Sequence, residues 1–358
     1  MKRFFTFLLS VSLAMVFFLS SGCSSVILLT FNNAFNDGKE PYAEYWEKLT
    51  YTVTSGEYKG LTRSTVIPKD AVEFSINGTL TLTLNTTHKD AVIDEVAVLP
   101  DEIKDQTDIN LSGKLYRLTA LLSLKSNYKV NGDKVDDVDD NGDLTDEIRS
   151  EVVFLTSENS FAPIYSSVKQ SYHVMLASNE SDGLKVNIDK LESEHKIIYS
   201  SDKYTITSTS KTEDGDKTTS STIDYSFRSI IDNTQLLFAL RNLSLEKEKS
   251  TSVLTVAPAY KNATNLLVKN NEEVSQMIKL NVNGKEVNEN LSVKNLSFNV
   301  NDSKNTGVAQ YVSIQKAKSE NIPYKSLMIE YAEPLICYGS ISTMGALIYR
   351  LSSVEYAI

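Results

Sequence analysis

Cysteine is almost missing from this chain: Cys23 and Cys337 are the only two in 358 residues, and there are just three histidines and one tryptophan. Two cysteines cannot build a disulfide framework, so the fold must rest on its own core, and a chain of this length can bury a sizeable one. The histidines, His88, His173 and His195, stand far apart with no His-Glu-x-x-His pair, which excludes the usual zinc hydrolase pattern. Equally absent are a Gly-x-Ser-x-Gly elbow, a phosphate-cradling loop and a dinucleotide fingerprint. Neighbouring acids such as Asp94-Glu95 and Asp101-Glu102 sit in charge runs, where sequence does not fix the carboxylate spacing a glycosidase requires. No basic stripe with interleaved aromatics occurs, and the net charge is −10, so nucleic acid is excluded as a partner. The chain is expected not to be an enzyme.

What is present begins at the N-terminus. Met1, Lys2 and Arg3 form a positive start, and Phe4 to Leu19 form an apolar run broken only by Thr6, Ser10 and Ser12. That run is too short for a membrane-spanning helix and is followed by small residues, which is the pattern of a signal peptide over 1–22. Leu19-Ser-Ser-Gly-Cys23, with Ser24 and Ser25 behind it, resembles a bacterial lipobox. The one departure is Ser20 at the position where a large apolar residue is usual. The resemblance implies that the Cys23 thiol takes a diacylglycerol and that the chain is cut just before it. Acyl chains add about 0.8 kcal/mol per buried methylene, so the mature protein would be held at a membrane through its lipid anchor. Loss of Lys2 and Arg3 leaves the body near −12, so anionic headgroups repel everything except that anchor. The expected location is an exported one, at a cell membrane or envelope surface.

Residues 24–40 read as a tether from Cys23, mixing apolar Val26 to Phe31 with loop-like Asn32 to Glu40. From 41 to 358 the dominant pattern alternates with period two, as in Thr79-Leu-Thr-Leu-Thr-Leu84, Tyr204-Thr-Ile-Thr207 and Met277-Ile-Lys-Leu-Asn-Val282, which is the mark of half-buried antiparallel strands. Asn77-Gly78, Asn131-Gly132, Asn141-Gly142, Asp214-Gly215 and Asn283-Gly284 supply Asx-Gly pairs suited to tight hairpins. The expected fold is mainly β: a curved antiparallel sheet or half-barrel with one or two short helices. The clearer helix is Asp232 to Asn242, where Asp232 caps the start, Gln235 completes a capping box and Ile231 staples onto Leu236. A weaker one is Pro41 to Leu49, which holds Trp46. No Pro- or Gly-rich linker divides the body; a division could fall only near Ala162-Pro163, and one continuous body is preferred.

A second resemblance covers roughly residues 163 to 352. Phe161-Ala-Pro-Ile-Tyr165, a long two-strand stretch, Leu236-Leu-Phe-Ala-Leu-Arg241 and then Ile322-Pro-Tyr-Lys-Ser-Leu-Met-Ile-Glu330 are similar to an exported β-rich bacterial family of unknown function. That family in turn resembles the half-barrel carriers of lipoproteins and lipids, so the likeness implies a sheet curled around a helix. It implies a fold more than an activity.

One loop carries a metal-like pattern. In Asp136-Asp-Val-Asp-Asp-Asn-Gly-Asp-Leu-Thr-Asp-Glu147, the residues Asp137, Asp139, Asn141 and Asp143, with Gly142 at the sharp turn, copy the first part of a calcium-binding EF-hand loop. The pattern then departs, because Ile148 takes the twelfth position and Glu147 falls one residue early. The competing reading is a solvated hairpin tip between Leu118–Val130 and Glu151–Leu155, since acid-rich loops are usually just solvated. His88 and His195, in polar or charged runs, are expected exposed, and His173 is expected to be an ordinary strand residue. Cys337, in Pro334-Leu-Ile-Cys-Tyr338, is expected to be a buried thiol. Eighteen tyrosines could line a groove for a lipid or glycan, but tyrosine is also a good strand former.

Three functions follow from these readings. The first is a membrane-anchored, non-catalytic envelope lipoprotein that binds an apolar or amphipathic ligand, or an envelope protein, on the concave face of the sheet. The second is a structural or adhesive surface protein with a solid core. The third is a hydrolase of envelope polymers, which would need a cleft gathering a histidine with acids distant in sequence.

Overall fold

The computed structural model describes residues 46–55, 72–87, 114–130, 133–134, 144–157, 160–180, 183–212, 215–225, 230–241, 243, 245–256, 263–300, 311–316, 319–322, 327–336 and 343–357. Period-two alternation becomes strand throughout them. In β1 (Trp46–Ser55) Leu49, Tyr51 and Val53 point inward, and in β2 (Val72–Thr87) Leu80, Leu82 and Leu84 do the same while the intervening threonines face outward. The next strands are β3 (Lys114–Val130), the two-residue β4 (Asp133–Lys134), β5 (Leu144–Ser157), β6 (Ser160–Glu180), β7 (Gly183–Tyr199), β8 (Lys203–Thr212) and β9 (Gly215–Asp224). After β10 (Ile230–Asp232) and the helix α1 (Asn233–Arg241) come β11 (Ser250–Val256), β12 (Thr264–Val282), β13 (Lys285–Val300), β14 (Tyr311–Gln315), β15 (Met328–Ile336) and β16 (Thr343–Ala357).

All of these strands join one 16-stranded sheet in the order β10-β11-β12-β13-β14-β15-β16-β1-β2-β3-β5-β6-β7-β8-β9, with β4 hanging from β3. Nearly every pairing is antiparallel; β10 with β11 and β12 with β16 are the parallel ones. The β12–β16 contact, Asn281 opposite Ser353 and Val282 opposite Val354, closes β12 to β16 into a five-stranded ring. From β16 the sheet continues as a wing through β1 and β2 to β9, and on the other side β11 and β10 flank β12.

Five of the connections, β3–β4, β5–β6, β6–β7, β8–β9 and β12–β13, are two residues long. Val282 pairs with Lys285 across Asn283-Gly284, whose φ angles of 47° and 84° are both left-handed, as the mirror-image turn that matches strand twist demands. Val130 pairs with Asp133 and Thr212 with Gly215, so Asn131-Gly132 and Asp214-Gly215 also fall at reversals. Asn77-Gly78 does not. It lies inside β2, with Gly78 opposite Leu124 of β3 and Val53 of β1. A Cβ on Gly78 would sit 2.1 Å from the Ser123 carbonyl oxygen, so glycine is required there by close backbone approach and not by a turn. Ala162-Pro163 lies within β6, where Phe154 pairs with Pro163 and Val153 with Tyr165; the extra residue, Ile164, makes a bulge that accommodates the proline.

The expected helix over Pro41 to Leu49 is corrected: Trp46 to Leu49 belong to β1, held between β2 and β16, while 41–45 lie outside the described residues. The other helix is present. α1 packs against β3, β5, β6, β10 and β11, strands well separated in sheet order, so the sheet curls around it. Phe238 is its anchor, with ring centroids 5.4 Å from Phe154, 5.5 Å from Phe161 and 6.2 Å from Tyr116. This aromatic knot joins one core that also holds the inward residues of β1, β2 and the ring. A second, smaller core of Ile197, Tyr199, Tyr204, Ile206, Ile230 and Val256 sits under the base of β7 and β8.

Candidate binding surfaces

The helix is fixed at both ends by buried polar groups. Asp232 caps it as its sequence suggests: one carboxylate oxygen accepts from the Thr234 N–H at 2.7 Å and the other from the Tyr199 hydroxyl at 2.6 Å. Burial pushes this carboxyl above the usual range, and those two hydrogen bonds pull it back. Gln235 does not complete a capping box. Its side chain is fully buried and neither its oxygen nor its nitrogen finds a partner among the described residues. At the other end Arg241 forms a two-pronged ion pair with Glu47 of β1, with Nη2 3.1 Å from Oε2, and both side chains are almost wholly buried. The Arg241 guanidinium also lies 5.6 Å from the Phe238 ring centroid. Tyr51 lies beside the pair and donates to the Met328 carbonyl at 3.0 Å, and burial pushes its hydroxyl pKa far up.

The two described histidines serve the sheet. His173 of β6 meets Asp146 of β5 twice, through its ring Nδ1 at 2.7 Å and its main-chain N–H at 2.9 Å, both on one oxygen. It clamps neighbouring strands, as befits a strand residue. His195, expected exposed, is half-buried in β7: its Nδ1 lies 2.8 Å from Ser208 of β8, and its Nε2 3.2 Å from Ser193 and 3.5 Å from Gln170 of β6. Burial lowers its pKa below the ordinary value by disfavouring the charged ring. The charges around it in sequence alternate to the outer face; its own ring follows the strand parity and turns into the cross-strand network.

Two open grooves mark the surface. One, of about 460 Å³, crosses β5 to β9 and is walled by charges that largely cancel, with Lys211 bridging to Glu192 at 2.6 Å and Arg149 to Glu147 at 2.6 Å. The other, of about 600 Å³, lies where β12 faces β15, β16 and β1. Its floor is apolar, with Ile278, Leu280, Ile329 and Leu351 buried at its base, and Met277 stands 66% exposed at its lip. Charged pairs flank it: Lys279 with Glu286 at 3.0 Å and Arg350 with Glu330 at 2.7 Å.

Cys23, Asp137, Asp139, Asn141 and Asp143 lie outside the described residues, as do His88 and Cys337. What borders the acidic loop is strand on both sides, with Ser126 of β3 opposite Leu144 of β5. From Leu144 onward the EF-hand-like pattern is therefore extended, and Glu147, one place short of the twelfth position, is bonded to Arg149. Among the described residues no group of three or more histidines, cysteines or acids converges as a metal site. The described tyrosines mostly pack inward: Tyr51, Tyr116, Tyr165, Tyr199, Tyr204, Tyr331 and Tyr349 are all buried. Sequence reasoning missed the lip of the larger groove, although a signal was there. Met277 shares its parity with Lys279 and Asn281, so an apolar side chain falls on the polar face of β12.

No protein-family profile matches the sequence, and no curated relative matches it either. Among solved structures the chain is similar to the crystal structure of a β-barrel-like protein of a domain of unknown function, DUF1849, from Brucella abortus. The two share 6% identity at a TM-score of 0.42, over 87% of this chain and 98% of the other.

Proposed function

We propose that this chain is an exported lipoprotein, anchored to a membrane surface through acylated Cys23, whose β body is a non-catalytic binding scaffold for an envelope protein or an amphipathic ligand. The observation that carries the anchor is Leu19-Ser-Ser-Gly-Cys23 placed directly behind a short apolar run with a positive start. What supports a binding scaffold is the way the ionisable groups inside the body are used: Glu47 with Arg241, Asp232 with Tyr199 and Asp146 with His173 each join separate elements. The concave side of the sheet is occupied by α1 and its aromatic knot, which moves the binding site from beneath the sheet to the open grooves on it. That same filled interior favours the second reading, a structural or adhesive surface protein.

Intact-mass spectrometry of the full-length chain expressed in a bacterium, wild type against Cys23→Ala, tests the anchor. The expected result is a mature species beginning at Cys23 with added acyl mass, lost in the variant. An unmodified chain cut elsewhere would make this an ordinary secreted β protein. Lipid extracted from the purified wild type then separates the two readings: a stoichiometric amphipathic molecule beyond the anchor marks a carrier, and none marks an adhesive scaffold.

A further inference from the structure

Among the described residues, the larger groove is bordered by a strand edge without a strand beside it. β11 accompanies β12 only as far as the contact between Asn270 N–H and the Lys249 carbonyl at 3.0 Å. β16 takes over only at Asn281. Between these points β12 is paired on one side alone, to β13, among the described residues.

The register fixes which groups face that open side. In a two-residue hairpin the residues flanking the turn, here Val282 and Lys285, bond to each other, and the bonding then alternates along the ladder. Val282, Leu280, Ile278, Gln276 and Val274 therefore spend their main-chain groups on β13. Glu273, Ser275, Met277 and Lys279 aim theirs away from it. Two observed bonds confirm this phase. Asn283 N–H, of the same parity, donates to the Val354 carbonyl of β16 at 2.9 Å. On the far side of the bulge between Asn270 and Glu272 the outward parity reverses, and there Asn270 N–H reaches β11.

We propose that this slot takes an extended polypeptide segment as an added strand, bonded along Glu273 to Lys279 and lying between β12 and the β15–β16 wall. A row of main-chain donors and acceptors at strand spacing matches another strand, and an acyl chain or a sugar ring offers no such row. The slot continues the β12–β16 ladder already present at Asn281 and Val282, so the incoming strand extends an existing contact. Its side chains alternate by necessity. One set drops onto Ile278, Leu280, Ile329 and Leu351, and the other emerges between the Lys279–Glu286 and Arg350–Glu330 pairs. The segment is therefore alternately apolar and polar, and Met277 at the lip adapts to the apolar set. This rests on the binding part of the reading above but not on the lipid anchor.

The test uses the full-length chain, purified in detergent, to select from a library of random 12-residue peptides, followed by calorimetry with the selected peptides. Lys279→Pro deletes one outward N–H without touching the β13 ladder, and Lys279→Ala keeps the N–H while removing the charge. We expect alternating apolar and polar peptides whose binding falls at least tenfold with Lys279→Pro and survives Lys279→Ala. N-methylation of one alternate set of peptide nitrogens should abolish binding and the other set should leave it intact. If Lys279→Pro fails to fold, the N-methyl series decides alone. Peptides that bind equally well whichever set is methylated, or no enrichment at all, overturn the proposal; either result with acyl mass present on Cys23 leaves the lipoprotein reading standing.

Discussion

The ring β12 to β16, together with α1, and the hairpin of β8 and β9 are built from the same antiparallel pairing but stabilised in different ways. Around α1 the rings of neighbouring strands touch one another, Tyr116 with Phe154 at 5.5 Å and Phe154 with Phe161 at 6.1 Å between centroids, and Phe238 of the helix packs on all three. In the β8–β9 hairpin nearly every β9 residue is exposed, and the outer face is laced by hydroxyl pairs: Thr205 with Thr222 at 2.9 Å and Thr209 with Thr218 at 3.0 Å. Only Tyr204 and Ile206, at its base, enter a core. Removing a buried partner in the first region leaves a cavity or an unpaired charge, whereas removing a hydroxyl in the second leaves a group that water satisfies. Period-two patterning alone therefore does not measure how much a strand contributes.

The sharpest way to break this contrast is Arg241→Ala. It strands the Glu47 carboxylate in the core and should cost about 3–5 kcal/mol in urea unfolding, while the double change Glu47→Leu with Arg241→Met should recover most of that loss. Gly78→Ala comes next. The 2.1 Å approach to the Ser123 carbonyl forces two backbones apart, for an expected loss of about 1–3 kcal/mol in the same measurement. Smaller is a pH effect from Lys294 of β13. Its ammonium donates to the Leu243 carbonyl, and burial, aided by Lys316, lowers its pKa from 10.5 to about 8. Between those values the unfolded chain binds more protons than the folded one, so stability rises with pH. The melting temperature should climb shallowly from pH 8 to 10, and Lys294→Met should flatten that slope. Smallest of all, Thr209→Ala combined with Thr218→Ala should shift stability by no more than about 0.5 kcal/mol per site. A loss of several kcal/mol from this last pair would show that the hairpin is held as tightly as the core.

How much of this was legible follows the range of the interactions. Strands announced themselves through local alternation, and Asn283-Gly284 marked its hairpin because a tight turn needs left-handed residues whatever surrounds it. Asn77-Gly78 carries the same dipeptide yet lies in mid-strand, because β1 and β3 pair it on both sides. Trp46 to Leu49 looked helical in isolation and is strand for the same reason. Asp232 was readable as a cap, since the N–H it accepts from is two residues away; Gln235, three places on, is turned inward by packing that no local rule encodes. Glu47 and Arg241 stand 194 positions apart, and nothing in either neighbourhood pointed to the other. The open edge of β12 was equally hidden, because it depends on where β11 stops and β16 arrives.

The place of β1 between β2 and β16 sets a timetable. Lys48 bonds to Glu355 at 3.2 Å across a separation of 307 residues, so the first described strand has its second neighbour only when almost the whole chain exists. A polypeptide that emerges N-terminus first carries the β1–β2 hairpin with one edge open throughout its synthesis. Closing contacts so distant is slow, and an open edge in waiting is where misassembly begins. The fifteen residues of β16, Thr343 to Ala357, are thus the key that locks the molecule, and truncations there should trap it half-built even though the greater part of the core precedes them.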